Sequence, residues 1–106
     1  LELRLGDASA NSYLAIAGML AGALLGIRNQ IEAPEPLVGY GYDESKSDKL
    51  PQDLTHALDA LERDKEMSDL LGDPFVKAFL AYKRDEVERF RTWITDWEFH
   101  EYTYHI

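Results

Sequence analysis

Glu2 and Arg4 are the residues whose types and spacing most directly suggest chemistry in this 106-residue chain. They alternate with leucines in Leu1-Glu2-Leu3-Arg4-Leu5, and on an extended backbone residues two apart share a face. A carboxylate supplies the hard oxygen that a cation such as Mg²⁺ takes, and a guanidinium supplies a planar fork for a carboxylate. One strand face can therefore hold a metal and a carboxylate-bearing substrate side by side. The same pattern also describes an exposed charge pair on an edge strand, and the residues alone leave both open. Other reactive types are less organised. None of His56, His100 and His105 stands four residues from another histidine, the spacing of a helical metal site, so solvated or packed imidazoles are expected. Asp96 and Glu98 read as helix caps, and no Gly-rich phosphate loop occurs.

The elements that must carry the Glu2–Arg4 pair begin with the strand itself. Gly6-Asp7-Ala8-Ser9-Ala10-Asn11 is a turn-rich exit from it, with Ser9 and Asn11 as candidate N-caps. A helix follows whose core, Tyr13–Ile27, has almost no polar group. A helix apolar on every side is buried in protein or in lipid. At about 1.5 Å per residue this run falls well short of the ~30 Å hydrocarbon core, so a buried helix of a soluble protein is expected, with no membrane partner. Gly18, Gly22 and Gly26 leave one stripe of it without side chains, where a neighbouring element can approach closely.

Downstream, Glu32-Ala33-Pro34-Glu35-Pro36 stops the helix, and residues 32–50 read as a long loop without periodicity. Asp53 caps a second helix whose stripe is Leu54, Ala57, Leu58 and Leu61. Met67, Leu70 and Leu71 suggest a short third helix closing at Gly72. Asp73-Pro74 reads as cap and first turn of a fourth helix to about Trp93, with Val76, Phe79, Leu80, Val87, Phe90 and Ile94 buried and mixed charges outward. Thr95-x-x-Glu98 fits a capping box for a fifth element, about Asp96–Tyr104, whose aromatics are expected to pack on the rest of the protein or on another subunit.

Composition bounds the partners. The net charge of −9 argues against nucleic acid and anionic membranes, which need clustered Lys and Arg. Hydrophobic content of 45% suits a globular chain, and the absence of cysteine removes disulfides and thiolate metal sites, in keeping with a cytoplasmic protein. No signal peptide is visible at the start, and Leu1 opens inside a strand pattern, so a piece of a longer protein is expected.

Several segments, in order, resemble one family. Glu2-Leu3-Arg4, then Asp7-Ala8-Ser9-Ala10-Asn11-Ser12-Tyr13-Leu14, then Gly26-Ile27-Arg28-Asn29, look like the C-terminal part of the glutamine synthetase catalytic domain. Leu50-Pro51, Leu54-x-x-Ala57-Leu58-x-x-Leu61, Phe79-x-x-x-Lys83-Arg84-x-Glu86 and Thr95-Asp96-Trp97-Glu98 resemble its closing helices, the last most reminiscent of the branch that includes γ-glutamyl-polyamine ligases. Ser12 departs from the proline usual after the asparagine.

The resemblance implies the C-terminal segment of an α+β catalytic domain: residues 1–106 form a mainly α piece, one short N-terminal strand plus four or five helices, divided as strand and buried helix (1–31), loop (32–50) and helical tail (51–106). It implies an ATP-dependent ligase joining ammonia or an amine to the γ-carboxylate of glutamate, using Mg²⁺ or Mn²⁺, in a homo-oligomer. Glu2 would be a metal ligand and Arg4 would hold the substrate glutamate. Tyr42, in Gly39-Tyr40-Gly41-Tyr42-Asp43, matches the place of a tyrosine that is adenylylated in some bacterial enzymes, in different surroundings. The remaining metal and nucleotide residues would lie outside this sequence, leaving the piece inert alone. From the residues without the resemblance, the alternative is a non-catalytic helical protein–protein interaction module.

Overall fold

A computed structural model describes residue 3, residues 5–40 and residues 49–104. Five helices follow one another: α1 (Ser12–Arg28), α2 (Leu54–Arg63), α3 (Lys65–Leu71), α4 (Asp73–Arg91) and α5 (Asp96–Tyr102). Each starts where local chemistry asks it to. Asn11 Oδ1 accepts from the N–H groups of Tyr13 and Leu14 at 3.1 and 3.2 Å, satisfying donors that the first turn of α1 leaves open. Asp53 caps α2 through the His56 N–H at 2.8 Å, and Asp64 ends α2 while capping α3 through Met67 N–H. Thr95 and Glu98 complete a reciprocal capping box on α5.

Two helix junctions use left-handed backbone. Gly72, with φ 93°, is the single residue between α3 and α4, a conformation that a side chain would strain. It takes the N-cap position expected of Asp73. Asp73 is instead the first helical residue, where its carboxylate pairs with Lys77 at 2.6 Å. At the end of α1, Gln30 adopts φ 49°, while the N–H of Ile31 reaches the carbonyl of Gly26 and that of Gln30 the carbonyl of Ile27. That is a Schellman closure made without glycine.

The core lies between α2 and α4. Leu58, Val76 and Leu80 are buried, with Leu61, Leu71, Phe79 and Val87 packed around them. Thr55 meets Arg91 and Asp59 meets Arg84, so the two helices run antiparallel. Short α3 bridges the pair to α1: Ser68 is buried and donates to the Leu61 carbonyl, and Glu66 accepts from the Asn29 side chain at 2.8 Å.

Several expectations are corrected. Among the described residues there is no strand, and Leu3 and Leu5 are exposed. A strand exists by pairing, and no other described segment offers a ladder to Leu3 or Leu5. The first helix forms where expected but is not buried. Only Ala21 is buried, while Tyr13, Ile16, Leu20 and Ile27 face outward, Ile27 with 76% of its surface accessible. Among the described helices only α3 packs on α1. The glycine stripe is correspondingly bare: a Cβ on Gly22 would lie 3.9 Å from Met67 Cε, and nothing lies within 4 Å of one on Gly18 or Gly26. None of the described helices is long and apolar enough to cross a membrane.

On α4, Val76 and Leu80 are buried and Phe79 and Val87 partly so, but Phe90 (71% accessible) is not, nor is Ile94 (78%), which follows the end of the helix at Arg91. The α2–α4 seam opens at Thr55–Arg91, where Leu54 and Phe90 line a hollow. Trp97, Phe99, Tyr102 and Tyr104 stay exposed because α5 touches no other described helix. The radius of gyration, 18.2 Å, exceeds the roughly 13 Å of a compact domain of this length.

Three outcomes follow from this packing. Leu58→Ala should lower the unfolding free energy by about 2–5 kcal/mol in a urea titration, because it hollows the only seam that closes. Gly18→Ala and Gly26→Ala should each stabilise the chain by roughly 1 kcal/mol, since the new methyl meets open space and a helix interior favours alanine; a loss of stability would mean that another surface covers the stripe. The His56 N–H holds the Asp53 carboxyl below the usual aspartate range, with the His56 imidazole 2.9 Å away adding to the effect. A carboxyl whose pKa falls on folding adds stability that is complete above the ordinary value, about 4, and is lost as pH drops through the folded value. Asp53→Asn keeps a capping oxygen without this titration. Between about pH 6 and pH 3 the parent chain should therefore lose more stability than the variant, and equal losses would remove the charge from the cap's role.

Candidate functional site

Glu2, Arg4 and Tyr42 lie outside the described residues. What is described is the support that leads from the first two into α1. Asp7 folds the chain back on itself: its Oδ1 accepts from Ser9 Oγ at 2.6 Å and Ser9 N–H at 2.7 Å, and its carbonyl accepts from Ala10 N–H at 3.3 Å. Two residues later Asn11 caps α1. Residues 7–14 are thus one run of local hydrogen bonds ending in a 17-residue helix. The Ser9 hydroxyl and amide lower the Asp7 pKa, because both donate to the ionised carboxylate. Asp7 is therefore a turn-forming anion, as Asp53 is a capping one, and neither is tuned upward as a base working near neutrality would be.

The remaining candidates resolve as structural groups. His56 stands exposed beside Asp53, and His100 lies edge-on to Phe99 with ring centres 5.9 Å apart. His105 is outside the described residues. Glu98 Oε2 accepts from Thr95 N–H at 2.7 Å, the capping role expected for it. Among the described residues no three His, Cys, Asp or Glu side chains are grouped as a metal site requires. A lone carboxylate does not satisfy a six-coordinate hard cation, so the described residues do not by themselves fit one.

Two hollows flank the helices. One, of about 360 Å³, opens between α1 and α4 and is lined by Leu14, Ala17, Leu61, Leu71, Phe75 and Phe79. It contains no titratable group and so offers shape without acid–base chemistry. The other, of about 440 Å³, lies at the open end of the α2–α4 seam against Leu54, Val87 and Phe90. Its charged rim is already engaged: Asp53 with His56, Glu86 with Lys83 at 2.7 Å, and Arg91 with Thr55 at 3.3 Å. Sequence reasoning passed over Arg84, which joins Asp59 at 3.0 Å and Glu62 at 2.7 Å, and over the Asn29–Glu66 link. Each spans more than 20 residues of sequence, and no local pattern pairs side chains at such distances. The described part of the chain thus builds supports: caps, ion pairs and apolar contacts between helices.

Known proteins share the pattern of this chain. Residues 1–102 match the family described as glutamine synthetase, catalytic domain. The chain is 36% identical over 109 residues to a glutamine synthetase of Methanococcus voltae and 38% identical to one of Methanocaldococcus jannaschii. It is 39% identical to a glutamate–methylamine ligase of Methyloversatilis universalis. In each case 96% of this chain is covered but 24% of the relative, so the chain spans about a quarter of the length of these relatives. A match over residues 1–102, from the Glu2–Arg4 segment through the capped apolar helix to the closing helices, places this chain in the glutamine synthetase catalytic-domain family.

Proposed function

We propose that this chain is the C-terminal portion of an ATP-dependent ligase that joins ammonia or an amine to the γ-carboxylate of glutamate. The observation that carries the reading is the family match over residues 1–102, which spans the Glu2-x-Arg4 segment and every helix. Relatives named for both glutamine synthesis and methylamine ligation lie at similar identity, which supports an acceptor that is ammonia or a small amine. A helical interaction module would expose α1 and α5 equally well; family membership favours the ligase.

The reaction on this reading has two steps. A γ-carboxylate oxygen of glutamate attacks the terminal phosphorus of ATP, and ADP leaves. The amine nitrogen then attacks the acyl carbon of γ-glutamyl phosphate, the carbon–oxygen bond to phosphate breaks, and the nitrogen loses a proton. Arg4 binds and orients the glutamate through a forked guanidinium–carboxylate contact. Glu2 is one carboxylate ligand to a bound Mg²⁺ or Mn²⁺, which offsets charge on the phosphoryl oxygens. The other ligands and the nucleotide pocket come from sequence beyond these residues. The assembly is a cytoplasmic homo-oligomer, and the outward Trp93, Trp97 and Phe99 supply apolar surface for subunit contact.

In the full-length protein, assayed with glutamate, ATP and a panel of amines, Arg4→Ala should raise the glutamate KM roughly ten- to a hundredfold, because a hydrogen bond to a charged group contributes about 1.5–3 kcal/mol. The ATP KM should change little, and an unchanged glutamate KM would remove Arg4 from the site. The 106-residue chain alone should give no γ-glutamyl hydroxamate, and turnover by it would overturn the division of labour proposed here.

A further inference from the structure

We draw no further inference here: the strongest candidate, the apolar cleft between α1 and α4 lined by Leu14, Ala17, Leu71, Phe75 and Phe79, carries nothing because nothing in the structure shows what covers it.

Discussion

The antiparallel contact of α2 with α4 is the constraint on which the rest of the structure depends. Leu58 from one helix and Val76 and Leu80 from the other form the buried seam, and no other pair of described helices closes a comparable one. Burying a leucine-sized side chain contributes about 1.5–3 kcal/mol. The Arg84 clamp on Asp59 and Glu62 lies across the same seam but is half exposed, where an ion pair contributes roughly 0.2–1 kcal/mol. Apolar burial therefore sets the strength of the contact, and the charges set its register.

From that seam the order of the chain propagates outward with falling support. Gly72 turns α3 directly into α4, so α3 is held by its neighbours on both sides. Helix α1 is then held by α3 through Gly22 against Met67 and through Asn29 with Glu66. Helix α5 is held by its own capping box and touches no other described helix. The gradient agrees with a chain that spans a quarter of its relatives' length. A helix apolar all round needs more than one partner, and these residues supply α1 with one.

The proposed function follows the same gradient. The residues with the strongest chemical motive, Glu2 and Arg4, precede the Asp7 turn and the Asn11 cap, which together form a hydrogen-bonded lead into α1. Behind that lead, Asp53, Asp64 and Glu98 cap helices, Asp59, Glu62, Asp73, Asp85 and Glu86 pair with cations, and the hollow between α1 and α4 is apolar.

Helix starts and stops were determined by the sequence alone. Asn11, Asp53, Gly72 and Thr95 act within three or four residues of themselves, so their effect is written locally and was legible without coordinates. The family was equally legible, because order and spacing of short motifs survive where overall identity is modest. What only the tertiary structure decided was which apolar faces are covered. Phe79 and Phe90 read alike on one helical stripe, yet the first packs on the core and the second borders an open hollow with Leu54 and stays exposed. Periodicity states that a face prefers to leave water; whether it does depends on a partner brought from elsewhere in the chain, and that is a property of packing rather than of any local run of residues.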